Sequence, residues 1–262
     1  MRNLCGGFLG LALAGLLMAA QNGPDPVAII EKSVAANQRD YKAAPLYNYK
    51  ERDKDAGGTK TYQVTMIDGS PYQRLIAVNG KPLSGQAAAD EMKKQQDAAQ
   101  ARAAESADKR QARIAKYEHD RERDQQMMSQ LTKAFTFKVA GQQRVGKFNA
   151  WALIATPKPG YQPPNMECQV LPGMRGELWI DQKTYQWVKV TARVIRPVSI
   201  EGFLAQVQPG TEFDIEKSPV AAGIWQITHY SSHADAKVLF MFNHKQQDNV
   251  TYYDFEPAKA TR

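Results

Sequence analysis

Two cysteines and four histidines are all that 262 residues contain, and that scarcity removes whole classes of protein. Once Cys5 is assigned to a leader, Cys168 is the only thiol, so no intrachain disulfide forms and stability must come from packing. The chain has no Gly-x-Ser-x-Gly elbow, no His-Glu-x-x-His, no P-loop and no dinucleotide fingerprint. No catalytic residues, cofactor or metal site are therefore expected. After the first twenty residues no apolar run is long enough to span a bilayer.

What is present begins with MRNLCGGFLGLALAGLLMAAQNGPDP: one cation at Arg2, an apolar stretch from Leu4 to about Ala20, then small and polar residues. This reads as a secretory signal peptide over residues 1–20, cleaved near Ala20. Cys5 stands before most of the apolar stretch, not at its end, so a lipid anchor is not expected. Removing Arg2 takes Lys+Arg from 34 to 33 against 27 Asp+Glu, a formal charge of +6 for the mature chain. That charge is dispersed, and export makes intracellular nucleic acid an unsuitable partner. A periplasmic or otherwise extracytoplasmic location follows, with residues 21–262 forming one domain.

Asp25 and Pro26 open an amphipathic helix that runs to about Asp40, with Val27, Ile30 and Val34 at helical spacing. LYNYKERD, TYQVTMI and YQRLIAV then alternate with period two, reversing at Asp68-Gly69 and Asn79-Gly80, which predicts a meander. From Ser84 to Thr132 the composition changes to Ala, Gln and charge, with nine cations and nine anions. No Gly or Pro follows Gly85 in this span. It reads as one helix or two, supported by pairs such as Asp90 with Lys94 and Glu105 with Lys109. Between Met92 and Ile114 no large apolar residue occurs, so that part cannot bury a wide stripe, while Met127, Met128 and Leu131 offer a docking end.

Beyond Phe135 short β-type segments follow one another with no helical pattern between them, among them FTFKV, FNAWALIAT, GELWI, WVKVTARVI, GIWQITHY, KVLFMF and VTYYDF. This predicts an α+β fold: a large antiparallel sheet, curved so that helices cover its concave side. In WVKVTARV the spacing puts Val188, Val190, Ala192 and Val194 on one face and Trp187 on the other. VLFMF, read as one strand, is apolar on both sides.

The order of an N-terminal helix, a tyrosine-bearing strand and successive antiparallel strands, and above all LWIDQKTYQWVKV, resembles the periplasmic LolA/LolB-like lipoprotein-carrier superfamily. The resemblance is sharp over about residues 176 to 194. The helical insertion at about 84–132 and the proline-rich link TPKPGYQPPN depart from the simplest pattern of that family. The resemblance implies a half-barrel whose concave face holds acyl chains, hence a non-enzymatic protein that shelters a lipid or lipoprotein acyl chains, as a carrier to the outer membrane. Phe203, Trp225, Phe240 and Phe242 are the expected cavity-lining residues. The alternative is an envelope regulatory or protein-interaction module with a protein partner, and a third reading is a hydrolase built from dispersed residues. For that third reading, His229 and His233 would stand roughly 13 Å apart on one strand, too far to ligate one metal. Cys168 has no base near it in sequence and reads as a buried, inert thiol.

Overall fold

A computed structural model describes residues 24–200, 205–238 and 242–258. Helix α1 (Pro26–Ala43) starts where expected, with the Asp25 carboxylate accepting from the Val27 N–H at 2.9 Å. Strands β1 (Tyr47–Asp55), β2 (Gly58–Ile67), β3 (Ser70–Val78) and the short β4 (Lys81–Pro82) form the meander. The charged segment is two helices, α2 (Gly85–Ala103) and α3 (Ala107–Ser129), followed by the single turn α4 (Leu131–Ala134). Then come β5 (Phe135–Val145), β6 (Phe148–Pro157), a 3-10 segment (Glu167–Gly173), β7 (Met174–Asp181) and β8 (Trp187–Val194). Short β9 (Val198–Ile200) and β10 (Ala205–Val207) precede β11 (Glu212–Ala221), β12 (Ile224–Val238) and β13 (Phe242–Pro257).

The strands join in the order β4-β3-β2-β1-β13-β12-β11-β8-β7-β6-β5, with β9 and β10 as a side branch on β12. The pairings between these strands are antiparallel, and the two ends of the order, β4 and β5, do not pair with each other. The sheet is open but strongly bent. Phe148 on β6 and Trp225 on β12 are four strand spacings apart, about 19 Å in a flat sheet. Their ring centroids nevertheless lie 4.7 Å apart, which only a curled sheet allows.

The inside of the curl can be followed pair by pair. Directly opposed residues share a face, so Leu153, Leu178, Val190, Ile215, Tyr230, Val250 and Asp53 form one inner row across seven strands. Over β5 to β8 this face is packed shut. Ile29 and Ile30 of α1, Cys168 and Leu171 of the 3-10 segment, and Met127, Met128 and Leu131 close over Leu153, Leu178, Ile180 and Val190. Each such aliphatic side chain, fully buried, contributes about 1.5–3 kcal/mol.

Three local expectations are corrected. Trp187 belongs to the core face: a bulge pairs Trp179 with Lys189 but Ile180 with Trp187, leaving Val188 as the extra residue and turning the indole inward. VLFMF is not one strand, because Val238 ends β12 and Phe242 begins β13, the two facing each other as a pair. Lys94 pairs with Glu91 and Glu105 with Arg113, because α2 ends before Glu105 and α3 begins at Ala107, so Glu105 and Lys109 do not share a continuous helix.

The helical hairpin is fastened to the meander by arginine. Arg102 donates to the carbonyls of Ile67, Ser70 and Pro71 at 2.9, 2.9 and 3.1 Å. Arg113 holds Glu105 with two nitrogens and reaches the Asp68 carbonyl and the Ser70 hydroxyl. Gly69, at φ +84°, lies so close beneath Ile114 that an added Cβ would come within 2.8 Å of its Cδ1. Helix α2 thereby runs alongside β3, with Arg74 donating to Gln95 at 2.8 Å, and shields a strand that β4 covers only at Ala77 and Val78. Among the described residues no helix is long and apolar enough to cross a membrane.

Candidate binding face

Helix α1 turns toward the sheet a stripe made of Ile29, Ile30, Ser33, Ala36, Asn37 and Asp40. Its first half is aliphatic and its second half polar. Val27, expected on that stripe, is exposed, because the buried face is centred one position away, on Ile29 and Ile30. The polar half meets Lys217 on β11. Alternation along β11 from Phe213 and Ile215 places this lysine on the inner face, where it is 7% exposed. Its ammonium donates to Asn37 Oδ1 at 2.6 Å and to Asp40 Oδ2 at 2.7 Å. The other Asp40 oxygen accepts from the backbone N–H of Trp225 at 3.0 Å. Burial pulls the Lys217 pKa below the usual lysine value, against the opposing pull of Asp40.

Farther along the inner face, over β1, β2, β12 and β13, aliphatic residues give way to tyrosines and carboxylates. Glu51 stands opposite Tyr62 on one side and Tyr252 on the other, and Tyr49 opposite Val64. Tyr49 stacks edge-on to Tyr252, with centroids 5.8 Å apart, and lies 5.5 Å from Phe255. Burial raises the pKa of both tyrosines, with Glu51 adding to the effect. Burial also raises the Glu51 pKa, an effect opposed by the Gln73 amide, which donates to both carboxylate oxygens, and reinforced by Asp53. Ser232 and Asp248 continue the polar patch, joined at 2.8 Å.

Of the four expected lining residues, Trp225 is buried and stacks on Phe148 where the sheet curls toward itself. Phe203 and Phe240 lie outside the described residues. Phe242 opens β13 opposite Val238, and the structure describes its backbone only. Of the four, Trp225 alone has its side chain among the described residues. Sequence reasoning missed Lys217 and Asp40: alternation in EFDIEKSPVA puts the lysine on the face of Ile215, but nothing local says that two polar residues of a distant helix meet it there.

The chemically reactive residues are dispersed. Cys168 is fully buried in the core, with Tyr161 beside its thiol and its backbone N–H capped by Asn165 Oδ1 at 3.1 Å. His229 and His233 lie on the outer face of β12, on the side opposite Tyr230. Asp181 is committed to the β7–β8 turn, where its carboxylate accepts from the Thr184 N–H at 2.9 Å and hydroxyl at 2.7 Å. The motif that opens the family resemblance is therefore a turn device. The Tyr185 N–H closes it onto the Asp181 carbonyl, with Tyr185 at φ +59°, and Lys32 holds that tyrosine's hydroxyl.

No protein-family model matches the chain, and no curated protein does. Among solved structures it is similar to a DUF1329 family protein from Desulfovibrio piger, at 10% identity and TM-score 0.32 over 91% of this chain and 95% of that one. The LolA superfamily protein NE2245 from Nitrosomonas europaea gives 9% identity and TM-score 0.32 over 91% and 96%. A putative outer membrane lipoprotein-sorting protein domain from Vibrio parahaemolyticus gives 10% and 0.31 over 89% and 95%. The likeness is remote and one of fold alone. The bent sheet, the helix across it and the buried lysine beneath that helix are properties of this chain's own geometry.

Proposed function

We propose that this chain is an extracytoplasmic, non-enzymatic binding protein that shelters a lipid, or the acyl chains of a lipoprotein, against the inner face of its bent sheet. The observation that carries the reading is the graded inner row: Leu153, Leu178, Val190 and Ile215 give way to Tyr230, Val250 and Asp53. The aliphatic end of that row suits an acyl chain. In the described state the aliphatic end is occupied by the protein's own Ile29 and Ile30. Binding on this reading exchanges helix side chains for acyl methylenes, each worth about 0.8 kcal/mol when sheltered. The dispersal of Cys168, His229 and His233 supports a binding role over a hydrolytic one.

The test is solvent extraction of the purified full chain followed by mass spectrometry, with uptake of a fluorescent fatty acid as the independent readout. Recovered lipid or saturable uptake is expected; neither one appearing would overturn the proposal.

A second reading, capture of an envelope protein, is favoured by the α2–α3 hairpin. It is charged throughout and anchored at one end by Arg102 and Arg113. Deleting residues 86–126 should abolish partner capture on that reading and leave lipid loading intact.

A further inference from the structure

Lys217 is a buried cation whose two hydrogen-bonded side-chain partners, Asn37 and Asp40, both come from one helix. The sheet that carries the lysine supplies neither. Helix α1 is also held by an imperfect interface. Ser33 Oγ on the helix, and Nε1 of Trp187, which shares the core cluster with Ile29 and Ile30, are buried without hydrogen-bond partners, although their residues are 0% and 8% exposed. Each such orphan lowers the cost of letting the helix go, because solvent or a guest can satisfy what the closed state does not. If α1 shifts from the sheet, Lys217 is left as an unpaired ammonium on an apolar face, and an unpaired buried charge is strongly unfavourable.

We infer that Lys217 is the head-group site of the guest: the inner face takes a singly anionic amphiphile, with a carboxylate or phosphate head, and Asp40 occupies the head's position while the site is empty. This rests on the lipid-sheltering reading above and adds the charge of the guest to it. Two further features agree with the assignment. Lys217 lies four residues before the end of β11, near the rim of the sheet, with half-exposed Ile227 as its register partner, so a head there stays close to water. The other polar region of the inner face carries Glu51, Asp53 and Asp248, which repel an anionic head and leave the lysine as its place.

The experiment uses the full chain and three probes: oleate, oleyl alcohol and inorganic phosphate, with binding followed by calorimetry. Wild type should bind oleate at least tenfold more tightly than the uncharged alcohol. Asp40→Asn, which removes the internal competitor, should tighten oleate severalfold and leave the alcohol nearly unchanged. Lys217→Met should erase the preference, bringing the two probes within about twofold. Because Lys217→Met strands Asp40, the double variant with Asp40→Asn is measured beside it, with thermal melting to confirm folding. Equal binding of acid and alcohol by wild type, or an undiminished preference in the double variant, overturns the head-group assignment while leaving lipid binding in place. Failure of both amphiphiles to bind overturns the lipid-sheltering reading and this inference with it. Millimolar phosphate should not compete with oleate; full competition would make this a free-anion site and defeat the amphiphile.

Discussion

At the residue scale, a few side chains hold positions that the backbone alone would not. Asp181 is one: its carboxylate organises the β7–β8 turn through two bonds to Thr184, and it is itself buried. Asp181→Ala removes a charged acceptor from two donors and should cost about 1–3 kcal/mol in urea denaturation. Glu51 acts in the opposite sense. Burial raises its folded pKa, so the stability linked to its protonated form is fully present below about pH 4.5 and is lost as pH rises through the folded value. At neutral pH the ionised carboxylate is therefore a cost. Glu51→Gln should melt higher than wild type at pH 7, with the gain shrinking toward zero as pH falls below 4.5, and one acceptor oxygen remaining for Gln73. A variant that melts lower at pH 7 would show that the carboxylate stabilises its surroundings.

At the element scale, what can be read in sequence depends on how local the cause is. The turns at Asp68-Gly69 and Asn79-Gly80 and the N-cap at Asp25 are written in two or three adjacent residues, and the structure has them with positive φ at Asp68, Asn79 and both glycines. The sequence does not separate one helix from two in the insertion, since Ala104, Glu105 and Ser106 carry no Gly or Pro, and only the Ser106 cap marks the second start. Bulges were invisible. The extra residues Val188 in β8 and Thr228 in β12 each reverse which face the residues beyond them occupy, Trp187 in the first case and Trp225 in the second. Between Met92 and Ile114 the insertion reads as solvated from its lack of large apolar residues, yet this stretch is fastened by polar groups: Arg102 satisfies three carbonyls at the β2–β3 end. Arg102→Ala should therefore raise hydrogen exchange in α2 and β3 by tenfold or more, about 1.4 kcal/mol of local opening, while β7 and β8 exchange as before. Uniform acceleration across both regions would mean that the hairpin is integral to global stability.

At the scale of the whole molecule, the curl of the sheet decides whether there is an inner face at all. Strand count and alternation predict a large antiparallel sheet and the need to cover one side, but neither says where the sheet bends. That depends on which distant residues meet. Phe148 stands at the start of β6 and Trp225 near the start of β12, and their contact bridges β7, β8 and β11. Asp40 then ties the same tryptophan's backbone to α1, so the bend and the helix that fills it are fixed at one place. The consequence can be measured as a coupling. In a flat sheet Phe148→Ala and Trp225→Ala would act independently, since sites well separated in space add within about 0.3–0.5 kcal/mol. With the rings in contact, a double-mutant cycle should return about 0.5–1.5 kcal/mol of coupling. The single Trp225→Ala change should cost about 3–5 kcal/mol, because it empties a buried site. Additive energies would mean that the two rings do not touch in solution, and that the bent sheet, with the enclosed face from which a guest's shelter is argued, is more open than described.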